Sequence, residues 1–163
     1  MAHGRPVTRK HKGFTFVAAL LAVALVVLAS YGVIFVASTT AKRSKEQALL
    51  KVGQAYVDAI AAYYQSSPGT VKVLPQRVDD LLADPRFIQT RHHLRAAYAD
   101  PIDPSVPLAL IVDAQGGIRG VRSQSTGQPL QESPMPVRGL VLGKANTYAD
   151  WRFEYRVGAA NGK

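Results

Sequence analysis

Between Phe14 and Ala37 the chain runs through twenty-four residues without a charge, nearly all of them apolar. As an α-helix this run is about 36 Å long at about 1.5 Å per residue, more than the roughly 30 Å hydrocarbon core of a bilayer. The pattern predicts a transmembrane helix over 14–41, with Lys12 before it and Lys42 after its apolar part. No second run of this kind follows, so one span serves one modest domain. Past this segment about 120 residues remain, enough for one small core and too few for two.

Charge adds a direction. The formal net charge is +9, from 20 basic and 11 acidic residues. Arg5, Arg9, Lys10 and Lys12 precede the apolar run, and the segment 1–13 contains no acid. Such a leader belongs on the cytoplasmic face by the positive-inside rule, although Lys42, Arg43 and Lys45 at the other end weaken that argument. A cleaved secretory signal is a poor fit: its apolar region is about 7–15 residues long and ends in a small-x-small site, whereas Ala22-Val23-Ala24 lies in the middle of this run. The remaining positive charges are scattered and carry no basic and aromatic motif, which argues against nucleic acid as a partner and for mild attraction to anionic lipid or an acidic protein. The chain has no cysteine, so disulfides, thiolate metal sites and cysteine nucleophiles are excluded together.

Helical periodicity continues past the apolar run. Leu49, Val52, Tyr56, Ile60 and Tyr63 form one apolar stripe, spaced as a helix face covering a sheet requires. Lys42, Lys45, Glu46, Lys51, Asp58 and Gln65 decorate its other faces, and Ser66-Ser67-Pro68-Gly69 ends it. Short helices are expected near Pro75–Leu82, Arg91–Tyr98 and Leu140–Ala145. Leu108–Val112 and Ile118–Ser123 flank the turn Ala114–Gly117 and predict an antiparallel hairpin. Trp151, Phe153, Tyr155 and Val157 alternate with Arg152, Glu154 and Arg156, a half-buried strand with an aromatic and a charged face. The predicted fold is α+β: a long N-terminal helix, transmembrane in its first half and periplasmic in its second, packed on a small antiparallel sheet of about three strands. Its parts are a leader (1–13), the assembly helix (14–41), the periplasmic half of the helix (42–66) and a small domain (67–163).

Catalytic signatures are missing. No GxSxG, HExxH or phosphate-cradling glycine loop presents the hydroxyls, histidines and carboxylates, and the chain is not expected to be an enzyme. Arg86, Arg91, His92, His93 and Arg95 form a local basic cluster. With no third ligand at a useful spacing and arginines repelling a cation, it reads as a solvated helix face.

The entry to the apolar run is more specific. Lys12-Gly13-Phe14-Thr15-Phe16 resembles the processing site of type IV pilins and type II secretion pseudopilins. The resemblance implies that a prepilin peptidase cuts between Gly13 and Phe14 and methylates the new amino terminus. A glycine before the bond suits this, because it keeps the backbone accessible and non-helical, while the basic leader holds the site at the cytoplasmic surface. Ala62–Gly69, Asp80–Arg86, Leu94–Pro101 and Tyr148–Phe153 look like segments of a G-like branch of pseudopilins. The resemblance extends from Lys12 to Val157.

It implies a pseudopilin of a type II secretion system, single-pass in the bacterial inner membrane, with a cytoplasmic N-terminus and a periplasmic domain. Its expected partners are the peptidase, other pseudopilins, the assembly platform and membrane lipid, and its expected role is a short pseudopilus supporting export. A single-span anchored binding or adaptor protein that never polymerises, or a minor pilin of a type IV pilus, are the alternatives. One residue departs from the family pattern: Ala18 stands where these proteins usually carry glutamate. A carboxylate there costs roughly 2.5–3.5 kcal/mol in hydrocarbon unless paired, and its usual partner is a neighbouring subunit's amino terminus. Ala18 removes both the cost and the registration contact. Major pseudopilins of the G type also hold calcium in a C-terminal loop. Asp100, Asp103 and Asp113 are the only semi-clustered carboxylates for it, but their spacing does not match a loop site, and Asp100-Pro101 and Asp103-Pro104 read as turn initiators. No cofactor is expected.

Overall fold

The computed structural model describes residues 12–130, 140–141 and 145–156, with the side chains of 14–28, 38–130 and 145–156. The chain divides into two compact units, Met1–Ala41 and Lys42–Lys163. Helical backbone, α1, covers Lys12–Gln65, so the division falls inside it.

The second unit is built on the stripe seen in the sequence. Leu49, Tyr56, Ile60 and Tyr63 are buried, and Val52 packs against them half-buried. They face an antiparallel sheet of four strands in the order β1-β2-β4-β3: β1 (Ala109–Val112), β2 (Ile118–Arg122), β3 (Leu140–Val141) and β4 (Arg152–Glu154). Val121 and Leu140 both pair with Phe153, and Phe153 rests on α1 at Gly53, where a Cβ would stand 2.2 Å from the ring. Only a glycine permits that approach of helix and sheet. The β1–β2 hairpin turns through Gly116 at φ 81°, a conformation glycine adopts without steric cost. In chain order a five-residue helix, α2 (Val78–Leu82), lies between α1 and β1, and a 3₁₀ turn at Tyr148–Asp150 lies between β3 and β4.

Several expectations are corrected. The predicted fold, a long apolar helix laid on about three strands, does not hold. Among the described residues no helix is long and apolar enough to cross a membrane. The sheet gains a fourth, two-residue strand, β3, at the start of the segment expected to be helical near Leu140–Ala145. Arg91–Tyr98 is not a helix. The Asp84 N–H donates to the Arg91 carbonyl, and the His93 and Leu94 N–H groups both donate to the Leu81 carbonyl, so this segment hydrogen-bonds to the end of α2 instead of to itself. The leader residues 1–11, the prolines at 134 and 136, and Val157 lie outside the described residues.

Candidate functional site

The residues assigned to processing sit at the start of α1. Lys12 and Gly13 are already helical, which corrects the expectation of a non-helical glycine. The Gly13–Phe14 bond thus lies in the first turn, where backbone N–H groups lack intrahelical acceptors. Beyond it, Phe14 is 77% exposed, and Phe16, Val17, Leu20, Leu21, Val23, Leu25, Val26, Val27 and Leu28 are exposed as well. A helix that is apolar on every side is built to be covered on every side, and a continuous apolar surface of this extent marks an interaction site. Ala18 is exposed within it, so the position usually held by a carboxylate here continues the apolar surface.

The three carboxylates considered for calcium are not brought together. Asp100 is fully buried; its Oδ2 accepts from Ser123 Oγ at 2.5 Å and Gln124 N at 3.2 Å, and its Oδ1 from Ile102 N at 2.9 Å. Asp103 Oδ1 accepts from the Ser105 hydroxyl at 2.6 Å and the Ser105 N–H at 3.1 Å. Asp113 Oδ1 accepts from Gln115 N at 3.0 Å and Gly117 N at 2.7 Å inside the hairpin turn. Each carboxylate organises its own turn. Among the described residues no group of three or more histidine, cysteine or acidic side chains could hold a metal ion.

The basic cluster also differs from its sequence reading. Asp84 has no exposed side-chain surface, and it meets Arg86 at 2.6 Å and His93 Nε2 at 3.0 Å, whose side chains are 15% and 8% exposed. Arg86 also donates to Ser67 Oγ at 2.8 Å and to the Tyr63 carbonyl at 2.9 Å, and its guanidinium lies 3.5 Å over the Tyr63 ring. The last turn of α1 carries no basic residue of its own; Arg86, together with Lys72 on the Gln65 and Ser67 carbonyls, supplies the cations and donors that a helix C-terminus favours. Chiefly through its hydrogen bond from Arg86, the Asp84 carboxyl is held well below the ordinary aspartate range. His93 bonds a carboxylate and Ser67 a guanidinium, so no hydroxyl is poised on the imidazole. The arrangement clamps a helix end.

A second buried carboxylate was read as surface. Glu46 is 3% exposed; its Oε1 accepts from the Tyr148 hydroxyl at 2.8 Å and from Leu130 N at 2.6 Å. Burial, reinforced by the nearby Glu46 carboxylate, pushes the Tyr148 hydroxyl far above the usual tyrosine range, so it remains a donor. Tyr148 in turn packs edge-on against Trp151. The sequence did hold a signal: Glu46 and Gly53 fall on the same three-four spacing as Leu49, Tyr56, Ile60 and Tyr63. A carboxylate and a glycine on an apolar stripe mark a buried anchor and a close approach.

Comparison with protein-family models, with curated proteins and with solved structures returned no match.

Proposed function

We propose that the chain is a pseudopilin subunit of a type II secretion system. In this reading it is held at the inner membrane by the apolar residues that follow Gly13, cut by prepilin peptidase between Gly13 and Phe14, and assembled into a short periplasmic pseudopilus. The observation that carries it is the placement of Lys12-Gly13-Phe14-Thr15 directly before a helical surface whose described residues, Phe14 to Leu28, are exposed and almost all apolar. Leaving lipid is feasible for such a surface only if equivalent apolar surface on neighbouring subunits replaces it. The function is assembly, and no reaction is assigned to the chain itself. Its partners are the peptidase, other pseudopilins, the assembly platform and lipid.

Ala18 favours a second reading, a minor pilin, because a subunit without the registration carboxylate is suited to a position where the ordinary contact is not made. A single-span anchored adaptor that never polymerises is the rival from another class. Intact-mass measurement of membrane-extracted protein, with and without the peptidase, separates them. Loss of residues 1–13 with methylation of Phe14 only in the peptidase-positive strain is expected. A mass that still includes Met1 to Gly13 in that strain overturns the pseudopilin reading.

A further inference from the structure

The face of the sheet turned away from α1 carries a charge pattern that the fold does not need. Phe153 and Tyr155 meet α1 at Gly53 and at the Tyr64 ring, so Arg152, Glu154 and Arg156, which alternate with them, line the other face. Glu154 is buried there between Arg152 at 2.6 Å and Arg119 at 3.3 Å. Arg122 stands directly opposite Arg152 in the β2–β4 register, and like charges so placed weaken a sheet. Arg122 and Arg156 are exposed, and neither has an ion-pair partner among the described residues. Asp150 feels the charge of Arg122, but it accepts from the Thr147 N–H at 2.8 Å and the Thr147 hydroxyl at 2.9 Å. Four arginines thus surround one buried carboxylate and leave the surface cationic. Arg119 and Arg156 also line an open cavity of about 300 Å³ with Leu74, Asp113 and Tyr155.

We infer that this face binds an extended, carboxylate-rich segment of another protein, one carboxylate seated between Arg122 and Arg152 and a second at Arg156. The cations are all arginines, whose planar forks match carboxylates in pairs of hydrogen bonds. Glu154 holds the Arg152 guanidinium through Nε, so part of the site is ordered before the ligand arrives. From Arg152 to Arg156 an extended chain runs about 13 Å, which sets the spacing of the two carboxylates at about four extended residues. The cavity beside Arg156 takes the apolar part of an adjoining residue against Leu74 and Tyr155. A lipid surface is a poorer occupant, since no exposed large apolar side chain lies on β2 or β4 to enter it. A second copy is poorer still. The only adjacent acids in the chain are Asp79 and Asp80; Asp79 pairs with Arg77, Asp80 accepts from the Gln76 and Arg77 N–H groups, and two copies at +9 repel. Every residue involved lies in the second unit, so the inference stands apart from the pseudopilin reading.

The test uses the full-length chain in a neutral detergent and a fluorescein-labelled alanine–serine peptide with glutamate at every fourth position, read by anisotropy. Saturable binding is expected, tighter than that of a peptide of the same composition with its glutamates contiguous. Arg122→Gln and Arg156→Gln should each weaken it about tenfold, while Arg91→Gln and Arg95→Gln, exposed arginines outside this face, should stay within about twofold. Arg122→Gln should leave the unfolding temperature, followed by Trp151 fluorescence, unchanged or raised, because it relieves the cross-strand repulsion. Equal losses from all four variants would reduce the effect to net charge and overturn the inference. So would a lowered unfolding temperature for Arg122→Gln, equal binding of the contiguous peptide, no binding, or tighter binding of soluble dihexanoyl phosphatidylglycerol in competition with the peptide.

Discussion

Along α1, residues 14–28 expose every side chain, whereas residues 46–63 bury one at every third or fourth position. Both stretches are helical and rich in apolar residues, and the difference lies in where their partners come from. The second finds Phe153, Trp151 and the hairpin inside its own chain. The first leaves its apolar side chains exposed, and that surface points to partners outside. Periodicity records this directly: a stripe implies an internal sheet, and an unbroken apolar surface implies a surrounding of lipid or like helices.

The sharpest way to break the comparison is to attack what binds the second stretch to its domain. Asp84→Ala leaves Arg86 buried without its carboxylate and should destabilise the second unit by about 3–5 kcal/mol, read by thermal unfolding of the full chain in detergent through Trp151 fluorescence. The same pair gives a pH signature. Arg86 depresses the folded-state Asp84 value, so its stabilisation is complete above the unfolded value near 4 and drains away as pH falls towards the folded one. Asp84→Asn should flatten that acid limb; an unchanged acid limb would remove the clamp from this account. Next in size, Gly53→Leu forces a side chain into the Phe153 ring and should cost about 3 kcal/mol in the same assay. Tyr148→Phe removes a hydrogen bond to a buried carboxylate and should cost about 1.5–3 kcal/mol. At the small end, Ala18→Glu should leave unfolding of the second unit within about 0.5 kcal/mol of the parent, preserve insertion and cleavage, and change only incorporation into the filament. Loss of insertion would count against the assigned role of the first stretch.

Legibility followed the range of the interactions. The stripe, the hairpin and the aromatic strand were readable because neighbouring residues set them: periods of three to four and of two, and a Gly-Gly turn. What escaped depends on distant partners. Glu46 reads as a surface acid until Leu130 and Tyr148 arrive from 84 and 102 residues away. Glu154 sits on the charged side of its strand, yet it is buried and held by Arg119 at 3.3 Å and Arg152 at 2.6 Å. His93 and Arg86 look like a solvated basic run because the carboxylate that neutralises them is fixed by the fold of the loop. Of the candidate site, Gly13, Phe14 and Ala18 were singled out by their order in the chain alone.

The Glu46 anchor also bears on how the chain comes off the ribosome. The helix face that needs covering is synthesised first, and Tyr148, Trp151 and Phe153, which cover and tether it, come almost a hundred residues later. Until then Leu49, Ile60 and a lone carboxylate face water together, and no stretch between them and the hairpin can complete the core. The domain therefore cannot complete its core until its last strand has been made, and a nascent chain waits, apolar face open, for the end of its own message.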